Sequence, residues 1–207
     1  MAGRDAYYYE PAKGHGLPFD PFKAIIGPRP IGWISSVDAK GAGNLAPYSF
    51  FNAFCDKPPI IGFSSSGWKH SVANIHDTGE FVWNLATRAL AERMNITSAA
   101  VAPEVNEFDL AGLTRAPARL VRADRVLESP VNFECRRTQL IQLRDADGGL
   151  VPNWLVLGEV VAVHIEPSLL LDGIYDTAGA HPILRAGKLG DYAEITAAAM
   201  FEMPRPD

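Results

Sequence analysis

The amino-acid sequence predicts a mainly β fold, an antiparallel β-barrel or sandwich with short flanking helices at its rim. The prediction rests on six or more strand-like segments, on the lack of a strand–helix–strand rhythm, and on the length of 207 residues. This length suits an all-β domain, so residues 1–207 are expected to form a single domain. Because the chain has no Gly-x-Gly-x-x-Gly sequence, a Rossmann fold is not expected.

The first part of the chain predicts an irregular N-terminal arm followed by four strands. Residues 1–29 are dense in Tyr, Pro and Gly, which is typical of irregular structure. An apolar stretch at 31–37, the turn "DAKGAG" and an extended segment after Asn44 indicate a β-hairpin. The segment "PPIIGF" predicts a third strand because its prolines stand only at the start, and residues 80–86 predict a fourth.

Short helices are predicted between these strands and the second half of the chain. Ser71 is expected to cap a helix of one or two turns. Residues 87–100 carry apolar side chains at helical spacing behind Thr87, which predicts a helix of about three turns capped by that threonine. Residues 103–118 are expected to be a loop.

The second half of the chain returns to strands. They are predicted at 119–128, 132–145 and 154–167, with "DGGL" as the turn before the last. In that last strand Val161, Val163 and Ile165 alternate with Ala162 and His164, which indicates an antiparallel strand that is buried on one face.

Composition and charge narrow the possible partners and location. The formal net charge of −5 and the scattered basic residues make nucleic acid an unexpected partner. No apolar run approaches the roughly 18 residues of a membrane-spanning helix, so no membrane association is expected. Two cysteines and an N-terminus without a signal-peptide pattern favour a cytoplasmic protein with free thiols.

The stretch "GFSSSGWKHS" at 62–71 offers several hydrogen-bond donors directly before a helix. The serine hydroxyls, the ammonium group of Lys69 and the free N–H groups after Ser71 together make a candidate anion site. The alternative is that the serines are merely solvated and Ser71 only caps its helix. Taken alone, the stretch favours this alternative.

Two further segments suit a flat, charged ligand. Asn44, Ala46 and Ser49 lie in a small-residue segment that lets a heterocycle approach the backbone, although a proline-bent edge strand explains the same pattern. Arg29 stands between two prolines that restrict the backbone, which suits an anion clamp, although a surface ion pair is the alternative.

Sequence motifs for metal or acid–base catalysis are missing. The five histidines show no His-Glu-x-x-His spacing, and no Cys-x-x-Cys pair is present, so no metal site is expected. A candidate anion loop and a flat-ligand segment without an acid–base set indicate that a bound cofactor carries the chemistry.

These segments together resemble a known family. The motifs "RPIGWIS", "NLAPYSFF", "DKPP" and Ser-x-x-x-Lys-x-Ser, followed by "FDLAGLT", "SPVNFECR" and "HPILRAGKLGDYAEI", are similar to those of the flavin reductase-like family. The resemblance covers essentially the whole chain. It implies an FMN-binding split barrel with an antiparallel, Greek-key-like sheet, FMN held noncovalently, and a homodimer in which the second subunit completes the site.

The resemblance also implies roles for particular residues. Those expected at the FMN phosphate are Ser64, Ser65, Lys69 and Ser71, with Arg29 nearby. Those expected along the ribityl chain and the isoalloxazine ring are Ser35, Ser36, Asn44, Leu45, Ala46 and Ser49. Arg185 is expected to face the nicotinamide nucleotide or the partner subunit, while His70 stands where relatives usually have Asp.

The activity implied by the resemblance is an NAD(P)H-dependent flavin (FMN) reductase that transfers hydride from NADH or NADPH to flavin. Reduced FMN would then leave for a monooxygenase partner or reduce another acceptor. The alternative is a non-catalytic FMN-binding electron carrier or flavin store on the same fold. An oxidase acting on a small B6-like substrate is the least favoured interpretation.

Overall fold

The computed structural model describes residues 5–102 and 105–206, and the fold is mainly β, as predicted. Its strands are β1 (Arg29–Pro30), β2 (Gly32–Val37), β3 (Gly43–Tyr48), β4 (Phe51–Asp56), β5 (Pro59–Ser66), β6 (Glu80–Asn84), β7 (Arg115–Ala116), β8 (Arg125–Val126), β9 (Val131–Arg144), β10 (Leu150–Ile165), β11 (Leu170–Leu171), β12 (Ile174–Tyr175), β13 (Ile183–Arg185) and β14 (Tyr192–Glu194). Its α-helices are α1 (Phe22–Ile25), α2 (His70–Thr78), α3 (Ala91–Ile96) and α4 (Glu107–Leu110). Single 3₁₀ turns are formed by Pro11–Lys13, Arg88–Leu90, Pro167–Leu169 and Ala197–Ala199.

Seven strands form one antiparallel sheet in the order β3-β2-β6-β9-β10-β5-β4. Its two edge strands, β3 and β4, are consecutive in the chain, so the sheet curls to bring its ends together. Side chains close this gap, because the ring centroids of Tyr48 on β3 and Phe63 on β5 lie 4.4 Å apart. The pairings β2–β6 and β10–β5 join strands distant in sequence, which gives the predicted Greek-key-like barrel.

Two of the four apolar clusters of the core position the helices next to the sheet. Phe63, Phe81 and Val156 belong to the first cluster, which occupies the barrel interior. The second packs Trp33 of β2 against Met94 of α3 and Phe108 of α4. Helix α2 buries Val72 and Ile75 against the barrel and ends at Gly79, whose φ of 73° suits glycine. The sheet and these helices together fix the position of the segment that enters α2.

The strands β9 and β10 form the long hairpin that the sequence predicts, with 14 and 16 residues. Their register shifts at several points, so the alternation expected along the last strand is not uniform. Val163 is 52% exposed, whereas His164 points towards Glu134, which is fully buried. The predicted antiparallel strand is present, but the predicted burial of its Val163 face is wrong at this position.

The predicted strand at 119–128 is also wrong, because only Arg125–Val126 is extended and paired there. The carboxylate of Glu134 accepts hydrogen bonds from the backbone N–H groups of Arg119 and Leu120, at 2.8 and 2.6 Å. The N–H groups that a strand would offer to a neighbour are thus taken by a buried side chain, and the segment follows a series of bends.

The predictions for one helix, one loop and the N-terminal arm also need correction. The helix expected over 87–100 is a 3₁₀ turn followed by the shorter α3, and Thr87 makes no side-chain cap bond. The loop expected at 103–118 contains α4, which Asn106 caps by accepting a hydrogen bond from the N–H of Phe108, although 103–104 lie outside the described residues. The described part of the N-terminal arm, residues 5–29, is mostly exposed and irregular, but it includes α1 and ends at the buried Arg29 of β1.

Within the two described ranges, no helix has both the length and the apolar character needed to cross a bilayer.

Candidate functional site

An open cleft of about 670 Å³ lies where β3 and β5 end and α2 begins. This volume falls within the roughly 300–1,000 Å³ of small-molecule sites. The segment after α3 forms another part of the wall. The residues that line the cleft are Lys23, Asn44, Ala46, Pro47, Tyr48, Ser49, Phe50, Ser64, Ser66, Trp68, Lys69, His70, Ser71, Thr97, Ser98, Ala99, Ala100, Val101, Glu107 and Asn153.

The strand β5 brings alternate serines to this cleft. Ser64 and Ser66 line it, while Ser65 is fully buried and donates its hydroxyl hydrogen to the carbonyl of Gly67, at 3.0 Å. Successive side chains of a strand point to opposite faces, so neighbouring serines cannot share one site. The structure therefore brings the predicted Ser64 to the cleft, leaves Ser65 outside it, and adds Ser66.

The helix α2 points its N-terminus at the cleft. Lys69 is the residue before the helix, with an extended backbone, and makes no side-chain cap bond. Its side chain is exposed and lines the cleft. The first N–H groups of a helix have no acceptor within the helix, so they add to the positive potential of the ammonium group. Among the described residues, Lys69 and Lys23 are the lysines that line this cleft.

The predicted capping role of Ser71 is wrong. Ser71 lies inside the first turn of α2 and is buried. Its hydroxyl donates to Oδ1 of Asn44, at 2.6 Å, instead of accepting a bond from the helix backbone. The hydroxyl group that the local pattern assigns to helix capping therefore bonds a side chain of β3 instead.

A buried carboxylate stands behind this contact. Glu107, the first residue of α4, is 5% exposed. Its Oε1 accepts a hydrogen bond from Nδ2 of Asn44 at 2.9 Å, and its Oε2 accepts one from the N–H of Leu45 at 3.0 Å. The three side chains of Glu107, Asn44 and Ser71 form a continuous hydrogen-bonded chain in the wall of the cleft, which we call the Glu107 relay.

Tyr48 also lines the cleft, with only 8% of its surface exposed. Burial raises the pKa of its hydroxyl, although hydrogen bonding with Ser71 and Ser65 opposes the shift. Tyr48 therefore presents a neutral hydroxyl group to this part of the site at physiological pH.

Arg29 and Arg185 lie outside the cleft lining and face each other across the pairing of β1 with β13. The guanidinium of Arg29 is buried and donates to the carbonyl groups of Ser49, at 3.1 Å, and of Lys23. It therefore supports two residues of the cleft wall from behind. The guanidinium of Arg185 lies 4.7 Å from the ring centroid of Tyr192.

Three other predicted residues do not reach the cleft lining. Ser35 is buried and donates to the carbonyl of Asp124, at 2.5 Å. Ser36 accepts a hydrogen bond from Nδ2 of Asn74 on α2, at 3.2 Å. The side chain of Leu45 is fully enclosed in the core, while its backbone N–H bonds Glu107.

The structure adds residues that local patterns did not indicate. Trp68 is 47% exposed at the cleft, with its ring centroid 4.5 Å from that of Trp154. Asn153 faces Ser66 across the β10–β5 pairing. The alternation of β5 was a signal that could have selected Ser66 in place of Ser65. Nothing in the local sequence relates Glu107 to Asn44, because the two residues stand 63 positions apart.

A curled antiparallel sheet with a donor-lined cleft at the start of a helix defines a β-barrel protein whose cleft has the size of a small-molecule site. Residues 27–182 match the model of the flavin reductase-like domain. The chain therefore belongs to the flavin reductase-like family, as the sequence motifs predict.

Similar proteins agree with this family and fold. An uncharacterized protein of Aquifex aeolicus is 37% identical over 157 residues, which cover 72% of this chain and 76% of the relative. Nitrilotriacetate monooxygenase component B from Bacillus cereus superposes with a TM-score of 0.85 at 28% identity, covering 97% of this chain and 100% of that one. A split barrel protein from Shewanella frigidimarina gives a TM-score of 0.78 at 23% identity, covering 89% and 90%. The predicted split-barrel fold is confirmed.

Proposed function

We propose that the protein binds FMN noncovalently in the cleft and acts as an NAD(P)H-dependent flavin reductase. The observation that carries the proposal is the convergence of Ser64, Lys69 and the N-terminus of α2 at one end of the cleft. A hydroxyl, an ammonium group and free backbone N–H groups are the donors that a phosphate monoester requires. The family supports flavin as the rest of the ligand.

The remainder of the cleft fits the other parts of FMN. Ala46 and Pro47 on β3 line the cleft with small side chains, so a flat ring can lie close to the backbone there. Asn44 and Ser49 supply polar groups on the same strand. FMN, when bound, supplies the capacity to accept electrons from a reduced nicotinamide nucleotide. The protein's own residues would hold the phosphate, orient the ring and leave one side of the open cleft accessible.

Anaerobic addition of NADH, and separately NADPH, to the FMN-loaded protein tests this function. Bleaching of the flavin absorbance near 450 nm at a rate well above that of free FMN is the expected result. Flavin that binds but is reduced by dithionite alone would contradict the reductase activity and would favour the electron carrier or flavin store. A protein that binds no FMN would contradict both functions.

We further propose a homodimer that is able to pass reduced FMN to a monooxygenase. Apolar side chains on the N-terminal arm and the edge strand β4 are exposed in the single chain, including Tyr8, Phe19 and Phe54. The likeness to a monooxygenase component B supports a downstream oxygenase. Light scattering should give twice the chain mass, and a particle of one chain mass would contradict the dimer. The cytoplasmic location stays a prediction.

Ser64 and Ser65 provide a matched pair of variants on β5, because Ser64 lines the proposed phosphate site and Ser65 does not. Ser64→Ala should weaken FMN binding by about 1 kcal/mol, because a hydroxyl that faces the ligand is lost. Ser65→Ala should leave FMN affinity nearly unchanged and lower the free energy of unfolding by about 1 kcal/mol, since its hydroxyl bonds Gly67 inside the protein. Fluorescence titration and urea unfolding measure the two effects, and the opposite pattern would contradict the assignment.

A further inference from the structure

We propose that Glu107 is a positioning residue that fixes the direction of the Glu107 relay, so that Ser71 meets the ligand as a hydrogen-bond acceptor. Its partner would then be a ribityl hydroxyl group of the flavin and not an oxygen of the phosphate. This inference rests on the proposed function, because it takes flavin as the occupant of the cleft. It changes the role that the family motif implies for Ser71.

The direction of the relay begins at the carboxylate of Glu107, which has only acceptor atoms. One oxygen accepts from the N–H of Leu45, and the other accepts from the side chain of Asn44. An amide can meet a carboxylate only through its NH₂ group. The side-chain orientation of Asn44 is therefore determined, with Nδ2 towards Glu107 and Oδ1 towards α2.

The orientation of Asn44 in turn determines the hydroxyl of Ser71. Oδ1 of Asn44 is an acceptor, and the Ser71 hydroxyl donates to it at 2.6 Å. Both side chains are buried, with 7% of Asn44 and 1% of Ser71 exposed. Turning the hydroxyl hydrogen of Ser71 towards the cleft would leave the buried oxygen of Asn44 without that donor, which is unfavourable.

This geometry assigns the ribityl chain and the phosphate of the flavin to different residues. With its hydrogen committed to Asn44, Ser71 offers only lone pairs, which it shares between the neighbouring hydroxyl of Tyr48 and the cleft that it lines. A phosphate oxygen at neutral pH is itself an acceptor, whereas a ribityl hydroxyl can donate. The phosphate is then left to Ser64, Lys69 and the free N–H groups of α2, which are all donors.

Two isosteric variants reverse and restore the direction of the relay. In Glu107→Gln, the new side chain can accept from Leu45 and donate to Asn44, so the amide of Asn44 turns over and donates to Ser71. The hydroxyl hydrogen of Ser71 is then free to face the cleft. In the double variant Glu107→Gln with Asn44→Asp, the aspartate accepts from both neighbours, so Ser71 again donates inward. The double variant also keeps one negative charge in the relay.

Riboflavin is the decisive ligand because it has the ribityl hydroxyl groups and no phosphate, so a change of charge in the protein has little effect on it. In Glu107→Gln the ribityl hydroxyl that donates to Ser71 has to turn over and accept instead, so riboflavin affinity should fall about three- to tenfold and return to within about twofold of the wild type in the double variant. Thermal unfolding of each variant separates this pattern from loss of structure. Equal riboflavin affinity in Glu107→Gln and wild type, or no recovery in the double variant, would overturn the proposal.

Ser71→Ala gives a second measurement that does not depend on how the Glu107 variants fold. The proposal expects riboflavin and FMN affinity to fall by the same factor, because the lost contact is to a group that both ligands share. A loss confined to FMN would show a phosphate contact and overturn the proposal. If the wild-type protein bound neither flavin, the proposed function would fail first, a result distinguishable from any difference among variants.

Discussion

Replacing Glu134 with alanine is expected to lower the free energy of unfolding by about 3 kcal/mol. Glu134 is fully buried, and it accepts hydrogen bonds from the N–H groups of Arg119 and Leu120 while one oxygen lies 2.5 Å from Nε2 of His164. The alanine variant loses these acceptors and leaves a cavity. Urea unfolding followed by tryptophan fluorescence measures the change.

Glu166→Ala is the matched control for this prediction, because it removes the same group from an exposed position next to the long hairpin. Its carboxylate accepts one hydrogen bond, from the hydroxyl of Ser168 at 2.7 Å. The expected change is within about 0.5 kcal/mol. Equal effects of the two substitutions would show that Glu134 does not hold the 119–121 segment.

The stability of the protein should also depend on pH through Glu134. Burial opposes ionisation of this group, but hydrogen bonds from His164, Arg119 and Leu120 outweigh it and hold the pKa of Glu134 below its ordinary value of 4.5. Because the folded-state pKa is depressed, the stabilising contribution is present above pH 4.5 and is lost as the pH falls through the folded-state value. The stability difference between wild type and Glu134→Gln should therefore narrow on acidification below pH 4.5. A constant difference in urea unfolding from pH 7 to pH 3 would contradict this cause.

Lys69→Ala should weaken FMN binding by about 1.5–3 kcal/mol, which is about 10- to 150-fold in the dissociation constant. Lys69 is exposed at the cleft and forms no ion pair within residues 5–102 and 105–206, so its charge is available to a phosphate. Fluorescence titration with FMN measures the loss. Riboflavin binding should change little, because that ligand has no phosphate.

Lys57→Ala is the control for general electrostatics. Lys57 is an exposed lysine in the turn between β4 and β5 and does not line the cleft. The substitution removes the same charge, so FMN affinity should stay within about twofold of the wild type. A similar loss in both variants would indicate that overall charge, not contact with Lys69, governs the affinity.

Local pattern and motif were sufficient for much of the fold and part of the site. Strong apolar runs predicted the strands at 31–37 and 58–63 and the long hairpin correctly. Burial of a strand produces a regular pattern of apolar residues that is visible in the sequence. Half of the twelve predicted site residues line the cleft. The prediction was less successful at 119–128, where Glu134, six residues beyond, takes the backbone N–H groups that a strand would use.

By itself, the sequence determined the class of fold, the family, and two of the segments that meet at the cleft, 44–49 and 62–71. These properties follow from periodicity and from the identity of motif residues, which are local. Only the tertiary structure decided which serines of β5 face the cleft, that Arg29 supports the wall from behind, and that Ser71 donates to Asn44 rather than capping its helix.

The physical reason is that hydrogen-bond partners compete across the fold. The hydroxyl of "GFSSSGWKHS" that the local pattern assigns to the helix backbone is taken by a side chain 27 residues away. That side chain, Asn44, is oriented by the carboxylate of Glu107, which stands 63 residues after Asn44 in the chain. Such choices depend on which groups are buried together, and no local pattern contains that information.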